Sequence, residues 1–379
     1  MTRSTNPPLA FVCAVSVSVL VAGCSLFSNQ PGPTLHPTGG LSTASTIIST
    51  ETAEPSPTPR LVKTITLVAL IGEPKDWTPA GLTWNGIQAA AIQIGAATSL
   101  VQPLSNAELT ADVDTAAGAD GTVVVTVGPS ADAAVQAAAA AHQTTQFLEV
   151  DVVPPAGSPA NVHGLAFDEA EAGYLGGYVA AAFAGRGKVG MVADTQTDTS
   201  SANYAAGFRS GASEAVPGVT VSVAYAGTPD APDKGRTAAA SLVKAGDSVI
   251  MAMPSLSGIG AMREACTRKA QLVAVGTDAW QTVPDVRPCL IVSVMKRYDV
   301  AVTTAIFGVA AGRTLPLVTL NDVANGGIAL SDFHASLPAG FQASLDAVLG
   351  TLKSGPPRPT PAPPTAEPSA RASGSPEPS

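Results

Sequence analysis

The chain has 379 residues, 45% of them hydrophobic and 13% charged, with a formal balance of −9. That much apolar material excludes wholesale disorder, and the acidic balance argues against nucleic acid as a partner. The length suits two domains, or one large domain carrying tails.

The ends do not read as fold. Residues 1–23 resemble an export leader: Arg3 precedes an apolar run from Leu9 to Ala22, shorter than the roughly 20 residues of a spanning helix. The run stops at Val21-Ala22-Gly23-Cys24. Small residues before a cysteine match the lipobox of bacterial lipoproteins, so Cys24 is the expected lipid-bearing N-terminus, holding the protein to a cell membrane on its extracytoplasmic face. Residues 24–63, closing on Glu54-Pro55-Ser56-Pro57-Thr58-Pro59, form an expected Pro/Ser/Thr tether. Residues 351–379 form a second Pro-rich tail with the same expectation.

Between these ends, strand and helix patterns alternate. Strands are predicted at Thr64–Ile71, Leu100–Pro103, Gly121–Gly128, Phe147–Val152 and Val162–Phe167, with helices at Leu82–Ile94, Ala107–Ala117 and Ala131–Ala141 between them. The pattern then restarts near residue 168. Helices at Glu169–Ala184, Ser201–Ala215, Lys234–Ala245 and Ile259–Lys269 alternate with strands at Lys188–Ala193, Val219–Tyr225, Ser248–Met253, Gln271–Gly276 and Leu290–Met295. Strands spaced by helices predict an α/β chain with parallel sheets covered on both faces. A TIM barrel would need one closed ring with no restart. Two doubly wound lobes, 64–167 with about 297–350 and 168–296, fit better, with hinges near Phe167 and Met295. Ligands of such sheets bind outside the carboxyl ends of the strands, which puts a cleft between the lobes.

Gly185-Arg186-Gly187-Lys188-Val189-Gly190 has dinucleotide-fingerprint spacing, but a helix precedes it and a strand follows, the reverse of the order that motif needs. It is a helix end and turn. Ser130 lacks the second glycine of a nucleophile elbow, and His36, His142, His163 and His334 show no ligand spacing. Asp194 to Ser200 reads as a capped turn. Nothing here supports an enzyme, a metal or a cofactor. Cys266 and Cys289 remain after Cys13 and Cys24 are assigned to the leader and the lipid. A disulfide between them is favoured over two buried thiols in an exported protein. Strand ends are more informative: Gly276-Thr277-Asp278-Ala279-Trp280, Ser293-Val294-Met295-Lys296-Arg297 and Lys75-Asp76-Trp77 put carboxylates, a cation and indoles where a doubly wound sheet takes its ligand.

From Thr64 to about Ser331 the chain resembles the basic membrane protein family, substrate-binding lipoproteins of ABC importers. The resemblance rests on Val162-His163-Gly164-Leu165-Ala166-Phe167, Gly187-Lys188-Val189-Gly190, Ala206-Gly207-Phe208-Arg209-Ser210-Gly211, Val275-Gly276-Thr277-Asp278 and Ser293 to Ala301. It implies a small hydroxylated ligand, with a nucleoside leading, and ABC permease subunits as partners. A ligand sensor of the same fold coupled to a membrane partner is the alternative, and an exported hydrolase a more distant one. Carried over residue by residue, Asp278 and Lys296 would hold the ribose hydroxyls, a carboxylate offering several acceptor sites to a diol. Asp151 would sit near the base and Gly258 in the turn beside the ligand, with Ser257 capping the next helix. The chain departs from the family where ring-stacking is expected: after the first strand it has Asp76-Trp77-Thr78-Pro79-Ala80-Gly81, with Pro79 and Ala80 in place of Phe and Asn, and Met251 and Met253 in place of a second aromatic. Trp77 or Trp280 is then expected to pack a planar ligand group.

Overall fold

A computed structural model describes residues 58–70 and 78–354. Cys24, Asp76 and Trp77 lie outside the described residues, as do the leader, most of the tether and residues 355–379.

Two six-stranded sheets carry the structure. The first is built from β1 (Thr64–Val68), β2 (Ala97–Val101), β3 (Thr122–Val127), β4 (Gln146–Val150), β5 (Val162–Phe167) and β11 (Val318–Asn321), in the order β2-β1-β3-β4-β5-β11. The second is built from β6 (Lys188–Ala193), β7 (Thr220–Tyr225), β8 (Asp247–Ala252), β9 (Gln271–Gly276), β10 (Leu290–Lys296) and β12 (Ile328–Leu330), in the order β7-β6-β8-β9-β10-β12. Within each sheet the first five strands repeat one order, second-first-third-fourth-fifth. Every pairing is parallel except β12 against β10. The restart expected near residue 168 is therefore a change of sheet.

The helices are α1 (Pro79–Ile94), α2 (Asn106–Ala117), α3 (Asp132–Ala141), α4 (Glu169–Ala184), α5 (Thr199–Ala215), α6 (Pro232–Lys244), α7 (Leu256–Thr267), α8 (Ala279–Thr282), α9 (Tyr298–Ala310) and α10 (Phe341–Ser354). Short polar side chains start many of them. Ser105, Asp168, Asp198 and Ser255 each accept the backbone N–H three residues on, which satisfies a donor that the helix leaves orphaned. No described helix is long and apolar enough to cross a membrane.

The chain passes between the sheets three times. After β5 it enters α4, which packs on β8 and β9; after β10 it enters α9, which packs on α1 and β4; between β11 and β12 it crosses again. The crossings are tied together: Asp168 N–H donates to Asn321 O at 2.8 Å and Arg297 N–H to Gly327 O at 2.8 Å. Val323 N–H donates to the buried Glu171 carboxylate at 2.6 Å. The sequence pattern locates the first two crossings. The third escapes it, because β11 and β12 are four and three residues long.

Both ends of the body extend beyond their expected limits. Val62 is buried, and Arg60 N–H donates to Ala310 O at 3.0 Å, so contact with the body begins before residue 64. At the other end α10 runs to Ser354, because Phe341, Leu345, Val348 and Leu352 form one apolar stripe that reaches past residue 350. Cys266 and Cys289 form a disulfide with their Cα atoms 5.5 Å apart, joining α7 to the 3-10 turn before β10.

Four glycines set how closely α4 and α5 approach. A Cβ on Gly173 or Gly177 would come within 2.3 or 2.0 Å of the Tyr204 or Phe208 carbonyl oxygen, and one on Gly207 or Gly211 within 1.9 Å of Ala170 O or Tyr174 O. Each helix presents glycines four apart to its partner's backbone. Gly211→Ala should therefore destabilise: overpacking costs about 1–3 kcal/mol, while the better helix former returns up to about 1 kcal/mol. A net loss of about 1–2 kcal/mol is expected in urea unfolding, and an unchanged midpoint would refute the close-approach account.

Candidate functional site

A cavity of about 530 Å³ opens at the carboxyl ends of the strands. Thr78, Pro79, Asp151 and Tyr298 line it on the first sheet's side; Met253, Ser255, Met262, Thr277 and Val283 line it on the second's. Its volume lies in the range of pockets for small molecules, about 300–1,000 Å³. Its wall is mainly apolar with few polar groups.

Asp151 is the best-defined of those polar groups. It follows β4 with φ at 62°, one of two non-glycine residues among those described with positive φ. Such a conformation costs about 1–3 kcal/mol and persists where surrounding structure over-determines it. Here the surrounding structure is visible. Asp151 N–H donates to Leu165 O at 2.9 Å. Lys296 Nζ donates to the two carboxylate oxygens at 2.9 and 3.1 Å, and Tyr298 OH donates to Oδ2 at 3.1 Å.

Lys296 ends β10 and Tyr298 opens α9, so this one contact binds the second sheet to a turn of the first. Lys296 is 3% exposed. It also donates to Glu169 Oε1 at 3.4 Å, which in turn accepts the Ser200 hydroxyl at 2.7 Å. It lies 5.6 Å from the Phe167 ring centre and 5.9 Å from that of Tyr204. Burial alone would push the Lys296 pKa down. The Asp151 and Glu169 carboxylates override it and hold the pKa well above the usual lysine value. Burial pushes the Tyr298 and Tyr204 phenols up, so both stay neutral.

Several sequence expectations meet other geometry. Asp278 and Lys296 do not share a partner: Asp278 accepts Trp280 N–H at 3.1 Å as the cap of α8, and the Ser293 hydroxyl at 3.3 Å. Its chain neighbours Thr277 and Ala279 line the cavity. Trp280 is not among the residues lining the cavity; it stacks on His334 with centroids 3.9 Å apart and carries the Arg287 guanidinium 5.1 Å from its centre. Ser257 is no cap. It is fully buried inside α7, donates to Thr228 O at 2.6 Å and so pins the preceding loop. The cap is Ser255, which accepts Gly258 N–H at 2.9 Å, so that N–H is not available to a ligand. Gly258 is needed for space instead: a Cβ there would sit 1.8 Å from Met253 O.

Sequence reasoning missed Tyr298, Glu169, Ser255 and Met262. Glu169 and Tyr298 are the first residues after the two crossings, a position that could have marked them. Ser255 donates to Asp194 Oδ1 at 2.6 Å; burial pushes the Asp194 carboxyl up, and repulsion from Asp198 and Asp230 adds to this.

Residues 81–331 match the family model for the PnrA-like ABC transporter substrate-binding proteins. The chain is 27% identical over 186 residues to an ABC transporter nucleoside-binding protein of Lactococcus lactis, covering 48% of this chain and 52% of that one. It is 29% identical over 124 residues to basic membrane protein A2 of Borrelia garinii, covering 33% of this chain and 36% of that one. The chain thus spans about half the length of the first relative and about a third of the second. Among solved structures, an ABC transporter solute-binding protein from Aeropyrum pernix matches with a TM-score of 0.57 at 25% identity, covering 77% of this chain and 82% of that one. One from Conexibacter woesei matches with a TM-score of 0.62 at 22% identity, covering 77% and 96%.

Proposed function

Because the chain belongs to the Bmp family of PnrA-like ABC transporter substrate-binding proteins, we propose that it is a lipid-anchored, extracytoplasmic receptor that captures a nucleoside and delivers it to an importer's permease subunits. The observation that carries this reading is Asp151. Its left-handed backbone turns a carboxylate into the cavity, and Lys296 and Tyr298 hold it there. A carboxylate fixed in this way presents its remaining lone pairs to the N–H or O–H donors that a nucleoside carries. Around it Met253, Met262 and Pro79 form an apolar wall for a planar group, with the polarizable Met253 thioether where the family resemblance implies an aromatic ring. The apolar run before Cys24 supports the anchor.

The test is a thermal-shift and calorimetric panel of purine and pyrimidine nucleosides, sugars and amino acids. A cognate nucleoside at 100 times its dissociation constant should stabilise by about 2.7 kcal/mol. Asp151→Asn should weaken it about tenfold or more, as expected for losing a charge-assisted hydrogen bond. A response to sugars alone would overturn the nucleoside assignment. An unchanged affinity in Asp151→Asn would remove Asp151 from the site.

A further inference from the structure

A second cavity, of about 200 Å³, lies at the amino ends of β4 and β5, the far end of the first sheet from the cleft. By volume it has room for about six waters, so it suits a small ion and not a nucleoside. Arg60, Arg313, His163, Gln146 and Thr314 supply its polar lining, and no carboxylate is among the lining residues. That is unusual in a chain with a balance of −9. Arg236, Arg263, Arg268 and Arg297 each pair with an acidic side chain, whereas Arg60 and Arg313, like Arg186, Arg209 and Arg287, have no ion-pair partner among the described residues.

Both arginines rise from fixed backbone. Arg60 N–H donates to Ala310 O and Arg313 N–H to Gly308 O, each at 3.0 Å. Residues 58–60 lie so close over the end of α9 that a Cβ on Gly312 would meet Thr58 O at 1.8 Å. The carbonyl end of α9 accounts for a cation nearby. It does not account for two guanidiniums around one cavity, because its last carbonyls are already bonded by the Ala311, Gly312 and Arg313 N–H groups.

His163 makes the inner wall. It is 2% exposed, with Nδ1 3.1 Å from Pro316 O and Nε2 3.2 Å from Gln146 Oε1. Both ring nitrogens thus face oxygens, an arrangement that suits a protonated ring. Burial nevertheless holds its pKa down, with the Arg60 charge adding to that effect. An anion between the arginines would relieve that repulsion.

The geometry points to a binding site for a tetrahedral oxyanion, phosphate or a phosphate ester, clamped by Arg60 and Arg313 on the face where the segment from Cys24 enters the body. Guanidiniums match phosphate oxygens bidentately. Phosphate of this kind could come from the solution or from a lipid headgroup, since residue 60 continues toward the expected anchor.

The experiment uses the full chain and its Arg60→Gln, Arg313→Gln and doubly substituted forms. Inorganic phosphate is titrated by calorimetry, and sedimentation is measured with phosphatidylglycerol and with phosphatidylcholine vesicles. Melting temperatures serve as the control for folding. Each single change should weaken phosphate about tenfold, the loss expected for one charged hydrogen-bonding group, and the double change should abolish it. Sedimentation with phosphatidylglycerol in excess of that with phosphatidylcholine, an excess that the double change removes, assigns the headgroup; phosphate binding without that excess assigns the free anion. Absence of both in the wild-type chain, or binding that survives the double change, overturns the proposal. If Gln variants melt early, Arg60→Lys and Arg313→Lys, which keep the charge but lose the fork, should bind phosphate weakly rather than not at all; full wild-type affinity in both overturns the bidentate clamp.

Discussion

Lys296→Met should lower the free energy of unfolding by about 3 kcal/mol and remove ligand binding with it. The ammonium is the shared donor for Asp151 and Glu169, and its removal leaves two anions facing each other at the junction of the sheets. Breaking a buried ion pair by deleting one partner costs about 3–5 kcal/mol. The lower end applies because the two carboxylate side chains keep 29% and 19% of their surface in contact with solvent. Urea unfolding at neutral pH measures the loss. Adding Asp151→Asn to Lys296→Met removes one of the stranded charges and should recover part of the stability but none of the binding. A single variant as stable as wild type would mean that the ion cluster contributes nothing net. Recovery of ligand affinity in the double variant would show that Asp151 and Lys296 serve the fold and not the cleft.

Periodicity made the α/β architecture legible because the central strands of both sheets are buried on both faces: β3 reads Thr-Val-Val-Val-Thr-Val, and β6 and β9 show similar apolar runs. Elements after Met295 were harder to see. β11 and β12 are too short for a pattern, and α9 is apolar nearly all round, so it has no polar face to mark its period. At the site, Asp151 could be found by analogy of position, but its importance follows from a backbone conformation and from two partners 145 and 147 residues away, which no local pattern encodes. The partner of Trp280 is hidden for a related reason: His334, which stacks on the indole, lies 54 positions later. The glycines of Ala206-Gly207-Phe208-Arg209-Ser210-Gly211 were visible as a motif, yet only the packing of α4 on α5 gives the reason for them.

Glu149 should make the protein lose stability as pH rises from about 4.5 to about 7. It lies in β4 on the same face as Phe147, fully buried, and both of its carboxylate oxygens lack a hydrogen-bond partner. Its register neighbour on β3 is Thr126, whose buried hydroxyl also lacks one. Burial, with repulsion from Asp132 adding to it, pushes the carboxyl from 4.5 up to about 7. The folded state therefore holds a proton that the unfolded chain has already released in that window. Stability is greatest below the unfolded value, falls as pH rises, and levels off once the folded carboxyl has also ionised. A shift of this size corresponds to about 3 kcal/mol, a large share of the stability of an ordinary domain. Glu149→Gln cannot ionise and keeps the shape, so its unfolding free energy should lack this component. The difference between wild type and variant, measured by denaturant unfolding at half-unit steps from pH 4 to 9, isolates Glu149 from Asp194 and Asp247, which burial also pushes up. The variant should gain on wild type steadily between about pH 4.5 and 7 and hold a constant advantage above. A difference that is flat across the whole range would mean that the carboxylate ionises in the fold as easily as in water, through partners or solvent that relieve its burial.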